Sequence, residues 1–552
     1  MFLKKNLIFL LIFAVCVFFR FYNLSNVPPS PSLDEVSIGY NAYSILKTGS
    51  DEYGNKLPVL LRAYDDWRPA LYAYLVIPFI KIFDLSVLSV RLPSAILSIF
   101  TGVALFFLAK EIFHKAKKFQ IRGIEFSIAH IVFFLYSISP WNVYLSRLGH
   151  EVNLGFSFLV FGIFSFLKYV RSDRSWTLPL SAIFLALSFD AYQSTKIVVP
   201  IIVVFLSLLF YKKLLRNLKI LLISAFLGIL LIFPILYSSV APQALIRFQA
   251  TNITNSIQPE LQKSAEQLIL DTKNNNYLGQ IIHNRRFVIA ASVVSAYVSH
   301  LNPAWLTTNF GDEPFKVPST GIISPFGFVL LLLGLFMGRT VMDKKLYLFL
   351  VFWILIGIIP GAITNGYPHA MRIYNSFPAL LIFEGSGFYF LILSIGKINN
   401  KLLSKAFYLL VVFLSVFWIS DFVNKYFVEF PQKLSSQFQY GVIDAFKYSK
   451  TIENNYDFVS VSNKNNLFQG YMFYLFANKT DPFKYQKKGG TVSGGFDKQH
   501  KIGKYQFVQN PIVGRSILYI LDPAEVKNSM KVIKVIKLLN GEASIVLSEN
   551  TK

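Results

Sequence analysis

Apolar runs near the length of a bilayer crossing recur along this chain, and they constrain its fold more than any other feature. Asn6–Phe21, Pro93–Leu108, Phe126–Pro140, Val152–Val170, Trp176–Phe189, Ile197–Tyr211, Leu218–Tyr237, Gly321–Met337, Leu346–Pro360, Ile373–Ile395 and Ala406–Ser420 all carry few charges. No soluble core needs so many such runs. A helix satisfies its own backbone groups in lipid, so the pattern predicts a polytopic α-helical membrane protein with about eleven spans. A transmembrane β-barrel would show shorter, alternating segments. Only 15% of the 552 residues are charged, against about a quarter in soluble domains.

The formal charge of +24 would suggest nucleic acid in a soluble protein. Here the lysines and arginines gather at one end of the apolar runs, as the positive-inside rule expects. No basic groove with interleaved aromatics is visible, which argues against nucleic acid. The same rule places Lys4, Lys5 and the N-terminus in the cytoplasm of a plasma or inner membrane, and the C-terminus outside. Arg20-Phe21-Tyr22 follows the first run where a signal peptide would have a small-residue cleavage site, so the run reads as an uncleaved anchor. The single cysteine, Cys16, excludes an intramolecular disulfide and a cysteine-based metal site.

Two domains are expected: a membrane domain over 1–421 and a small extracytoplasmic α/β domain over 422–552. The second is polar, with strand-like runs FVSVS, LYILD, KVIKVIKL and ASIVLS and a Gly-rich loop, Lys487–Gly495, that reads as flexible.

The least bland stretch is Pro31–Pro69, which opens with Asp34-Glu35 where the chain leaves the first run. Ser32 and Glu35 have capping-box spacing, and Gly49 is a fitting stop. They predict an amphipathic surface helix over about Leu33–Lys47. The run Pro69–Phe83 is apolar, yet a crossing there would put Lys110, Lys115, Lys117, Lys118 and Arg122 outside. It therefore reads as a juxtamembrane or half-inserted helix. The long segment Ser238–Thr320 lacks regular periodicity and reads as a lid or binding loop, with His283, Arg285 and Arg286 available for an anionic ligand.

An acidic residue in a first helical turn is ordinarily explained by the helix dipole, and Glu35 by its capping role. Asp34 differs in its location. At the water–lipid boundary it can meet a lipid-linked substrate, and the dipole keeps it ionised, as a base requires. Tyr40, Tyr43, Tyr64, Trp67 and Tyr72 are candidates for a sugar pocket or for an interfacial belt. Asp65 and Asp66 bind sugar hydroxyls or are simply solvated. His150-Glu151 suggests acceptor binding or an ion pair with Arg147, one helical turn away. A metal there would need more ligands.

The Asp-Glu loop, RPALYAYLVIPFIKIFDLSVLSVRLPSA, SPWNVYLSRLGHEVNL and YPHAMRIYNSFPALL together resemble the GT-C superfamily of polyprenol-dependent glycosyltransferases. Within it the chain is similar to the protein O-mannosyltransferase and aminoarabinose transferase group (glycosyltransferase family 39-like), over roughly Asn6–Phe390. The resemblance implies a GT-C fold with juxtamembrane helices in the first external loop. It implies inverting transfer from a polyprenyl-phosphate-linked sugar to a lipid, envelope glycan or protein acceptor. The family's loop aspartate maps onto Asp34, the implied base, supported by Glu35. Leaving-group charge requires cations, for which Arg68, Arg147, Lys196 and Arg372 are candidates. Snorkelling at a helix end is their ordinary alternative. Glu151, His369, Tyr64 and Asp66 complete the expected substrate-binding set. No metal or other cofactor is expected, with a divalent metal left open.

A lipid or polysaccharide transporter is the competing class. It would carry charges in mid-span, whereas here nearly all ionisable residues lie at helix ends, and Glu384 is an exception. An oligosaccharide polymerase or ligase would place its chemistry in later loops.

Overall fold

The structure is a computed structural model. It describes residues 2–550 except 65, 122–123, 173, 240–248, 310–312, 496–498 and 513–515. Two compact units divide the chain. One is Met1–Phe19, Ile99–Leu145 and Val152–Ile419; the other is Arg20–Ser98, Ser146–Glu151 and Ser420–Lys552.

Each expected apolar run is helical over most of its length. Among the described residues, six helices are long and apolar enough to cross a bilayer by length and composition: Val87–Ile112, Glu151–Ser172, Leu218–Ser238, Lys344–Ala362, Met371–Gly396 and Lys401–Leu434. The pair Ile128–Ile138 and Pro140–Ser146, bent by 61°, makes a seventh. The count of about eleven spans is not confirmed. Thr177–Ala191, Gln193–Leu209 and Pro325–Met337 have 15, 17 and 13 residues, short of the roughly 20 that an untilted crossing requires.

In the first unit, small residues let helix backbones approach. A Cβ on Gly334 would lie 1.8 Å from the Phe383 carbonyl oxygen, and one on Gly387 1.8 Å from that of Leu330. The helices Pro325–Met337 and Phe377–Gly396 therefore pack at the contact distance typical of membrane helix pairs. The segment 249–307, expected to be irregular, is largely helical: Gln258–Lys273, Tyr277–Ile282, Arg285–Ser299 and Pro303–Thr307. Asn276, Asn284 and Asn302 cap three of these by accepting from Gly279, Arg286 and Ala304 N–H groups.

The second unit begins from the helix Leu33–Thr48. Ser32 and Glu35 form the expected capping box, and Gly49 ends the helix at φ 72°. The expected amphipathic surface helix is instead enclosed. Ten of its sixteen residues are buried, against Leu71–Phe83 and Gly470–Ala477. Gly39 marks the tightest approach, where a Cβ would meet the Phe476 ring at 2.7 Å.

A hairpin of β1 (Leu60–Ala63) and β2 (Asp66–Pro69) follows, with Leu61 opposite Arg68. A second hairpin, β3 (Phe119–Ile121) with β4 (Ile124–Phe126), belongs to the first unit. The C-terminal residues form one mixed sheet from β5 (Phe458–Ser462), β6 (His500–Ile502), β7 (Tyr505–Val508), β8 (Ile517–Leu521), β9 (Met530–Lys537) and β10 (Ala543–Asn550). Its strand order is β6-β7-β5-β8-β10-β9. β5 runs parallel to β7 and β8, and the other pairs are antiparallel. This is the expected α/β architecture, with the helices Val442–Ile452 and Gly470–Ala477 in its core.

Candidate active site

Capping fixes Asp34 in the first turn of Leu33–Thr48, and β2 carries Arg68 to it. Arg68 Nη2 donates to Asp34 Oδ1, while Nη1 lies 4.0 Å from Glu151 Oε2. His150 stands between the two carboxylates. Its Nε2 is 3.5 Å from Asp34 Oδ2, and its Nδ1 is 3.4 Å from Glu151 Oε2. The Arg68, His150 and Glu151 side chains are buried, whereas that of Asp34 is 39% exposed. One accessible carboxylate thus fronts a buried ionic wall.

Burial alone would raise the Asp34 carboxyl, but the Arg68 charge and the His150 contact outweigh it and hold Asp34 well below the usual carboxylate range. Burial lowers His150, and Glu151 and Asp34 more than restore it, so its pKa is raised. Among the described residues, Arg68 Nε and Nη1 and Glu151 Oε2 have no hydrogen-bond partner. The wall therefore keeps donor and acceptor capacity in reserve.

Glu35 is spent differently. Its Oε1 accepts from Arg91 Nε at 2.7 Å and from Gly149 N–H at 2.9 Å. Its Oε2 accepts from Ser32 N–H at 2.9 Å and Arg91 Nη2 at 3.2 Å. Arg91 also donates to the Leu24, Pro28 and Ser30 carbonyls. This buried knot holds the residue beside Asp34 and the backbone just before His150. Arg147 donates to the Val27 and Arg20 carbonyls and lies 5.6 and 5.3 Å from the Tyr426 and Phe427 rings. Its guanidinium braces the chain, while Glu151 faces His150 and Arg68.

Tyr64, at φ 54°, donates its hydroxyl to the Leu33 carbonyl at the start of the Asp34 helix. Tyr40 and Tyr72 are also buried and donate to the Thr480 and Val90 carbonyls. These hydroxyls brace the site rather than form an interfacial belt. Asp66 Oδ1 accepts from Trp67 N–H within the hairpin. Asp65 lies outside the described residues.

The remaining expected residues belong to the first unit. Lys196 and Arg372 line a cavity of about 280 Å³ with Tyr192, Gln193, Thr251 and Thr364. Arg372 Nη1 donates to Thr364 Oγ1 at 2.7 Å and to the Asn365 carbonyl. His369 stacks on Phe315 and donates its backbone N–H to His300 Nε2. Burial, with Arg372 and His300 nearby, pushes the His369 pKa down to about 3, so the ring is neutral.

Three features escape a reading of the sequence. The first is His150 as the bridge between two carboxylates; its place directly before Glu151 was the available signal. The second is Asp190, whose buried Oδ1 has no partner among the described residues. The third is Glu52. The Gly-rich segment expected to be flexible buries Thr491, which donates to Glu52 Oε2 at 2.7 Å, and Asn41 donates to Oε1 at 3.2 Å. Burial pushes the Glu52 pKa up to about 8. Among the described residues, no group of three or more His, Cys, Asp and Glu side chains is placed to hold a metal ion.

Residues 67–237 match the family described as dolichyl-phosphate-mannose-protein mannosyltransferase. No curated protein matches the chain by sequence. Among solved structures, ArnT from Cupriavidus metallidurans bound to undecaprenyl phosphate is similar at TM-score 0.51 and 11% identity, over 98% of each chain. Its apo state is similar at TM-score 0.52 and 10% identity, over 98% of this chain and 97% of that one. An Archaeoglobus fulgidus oligosaccharyltransferase tethered with an acceptor peptide is similar at TM-score 0.50 and 13% identity. That likeness covers 86% of this chain, which spans only 63% of the oligosaccharyltransferase. At these identities the likeness is one of fold.

Proposed function

We propose that this chain is a multi-pass membrane glycosyltransferase of the GT-C type, and that it transfers a sugar from a polyprenyl-phosphate donor, with inversion, to an acceptor hydroxyl at the outer face of the membrane. The observation that carries this reading is the exposed Asp34 carboxylate, held ionised in front of Arg68 and His150.

In the proposed step the acceptor oxygen attacks the anomeric carbon. The bond from that carbon to the phosphate oxygen breaks, and polyprenyl phosphate leaves with the electron pair. The hydroxyl proton passes to Asp34. A carboxylate held so far down is a weak base toward a resting alcohol. The transfer therefore runs with bond formation, as the attacking oxygen becomes strongly acidic. A single displacement inverts the anomeric centre.

Glu35, Arg147, Tyr64 and Asp66 position Asp34 and Arg68 through the contacts above. Arg68 sets the charge of Asp34, and Glu151 orients His150. Lys196 and Arg372 hold the donor phosphate in the first unit's cavity, which offers two cations with hydroxyl and amide groups beside them. Neutral His369 shapes the turn that carries Arg372. Undecaprenyl phosphate in ArnT and the acceptor peptide on the oligosaccharyltransferase are consistent with a lipid phosphate on the donor side and a lipid or protein on the acceptor side.

The test is reconstitution in vesicles with polyprenyl-phosphate-linked radiolabelled sugars and membrane extract as acceptor. Label moving to a lipid, glycan or protein fraction with inverted anomeric configuration supports the reading. Retained configuration, or label moving across the membrane without transfer, overturns it.

A further inference from the structure

Glu384 is an ionisable residue that the proposed chemistry does not use. It sits on Phe377–Gly396, within the candidate span Met371–Gly396. An ionisable side chain in a span is expensive and marks function by default. Glu384 is 7% exposed, and no group among the described residues hydrogen-bonds to its carboxyl. A Cβ on Gly327 would lie 2.3 Å from Glu384 Oε1, so glycine at that position makes room for the carboxyl.

Glu384 lines a cavity of about 420 Å³ in the first unit. The helix Ile128–Ile138 contributes Ile131, Phe134, Leu135 and Ile138 to the lining. These recur at the i, i+3, i+4 and i+7 positions of a single helical face. That face makes the cavity a slot, whose wall runs about 10 Å from Ile131 to Ile138. The described lining holds no lysine, arginine or histidine, so nothing there compensates a phosphate, and the Glu384 carboxyl would repel one. The carboxyl does offer an acceptor and, with its proton, a donor.

We propose that this cavity binds one neutral, hydroxyl-bearing membrane lipid, with its chain along the Ile128–Ile138 face and its hydroxyl on Glu384. An apolar slot with a few polar groups, here Glu384 with Ser139, Ser324 and Ser415, is the usual design of a ligand pocket, and a buried carboxyl gains most from being paired. The proposal does not rest on the sugar-transfer reading.

The experiment uses the full chain in phosphatidylcholine nanodiscs and a diacylglycerol with a diazirine in one acyl chain. Phosphatidic acid bearing the same chain is the anionic comparison. After irradiation, adducts are mapped by peptide mass spectrometry. Diacylglycerol should label peptides spanning 126–140 and 377–388, about tenfold above phosphatidic acid. Glu384→Leu should lower that labelling about tenfold, while Glu384→Gln, which keeps donor and acceptor, retains it. Leu11→Trp, at an exposed lining position, should block the slot without burying a new group. Equal labelling by phosphatidic acid, adducts elsewhere, or labelling unchanged in Glu384→Leu or Leu11→Trp overturns the proposal.

Discussion

Arg91 closes on Glu35 from two sides, with Nε 2.7 Å from Oε1 and Nη2 3.2 Å from Oε2. Both side chains are fully enclosed. The residue next to Asp34 is thus anchored by a side chain 56 positions away in sequence.

That anchor sets the first prediction. Arg91→Met leaves the Glu35 carboxylate buried without its cation, which costs about 3–5 kcal/mol in pairs of this kind. Denaturation of the purified protein in detergent should show a loss of that size. A change within experimental scatter would mean that the pair does not hold the segment.

Arg68 sets the second. It is the main group holding Asp34 below the carboxylate range, and burial pulls the other way. Wild-type enzyme should keep Asp34 ionised through mildly acidic pH. Arg68→Gln should raise the Asp34 pKa, so on acidification kcat/KM falls at a higher pH than in the wild type. An acid limb identical in the two proteins contradicts this.

Glu52 gives a prediction about stability. Its pKa is about 8 when folded, against an ordinary 4.5. The folded state therefore binds the proton more tightly than the unfolded state, and stability falls as pH rises from about 4.5 to about 8. Glu52→Gln removes this dependence. Thermal melts should show the variant close to wild type near pH 5 and more stable than wild type at pH 9. Parallel curves for the two proteins would contradict it.

For Lys196 and Arg372 the expected effect is on donor binding. Each charge-assisted contact to phosphate is worth about 1.5–3 kcal/mol, so Lys196→Gln should raise the donor KM by roughly 10- to 100-fold. The acceptor KM should move little. An unchanged donor KM removes Lys196 from the phosphate role.

Much of this was legible in the sequence. The apolar runs announced helices because a membrane span needs length and little else. Ser32, Glu35 and Gly49 announced the helix that carries Asp34, since capping is local chemistry. Crossing counts were less secure, because helices such as Pro325–Met337 are too short to be decided by hydropathy. The helices of 249–307 were missed because their polar faces hide the period, although Asn276, Asn284 and Asn302 were visible caps. The pairing of Arg68 with Asp34, and of Thr491 with Glu52, is tertiary. No spacing rule links residues 34 or 439 positions apart.

The most direct measurement is sugar transfer by Asp34→Asn in vesicles, with labelled polyprenyl-phosphate sugar, alongside its donor affinity. Loss of a general base costs typically 10²–10⁴-fold. The account predicts a fall in kcat within that span, with donor binding retained. Transfer by Asp34→Asn at the wild-type rate would contradict it.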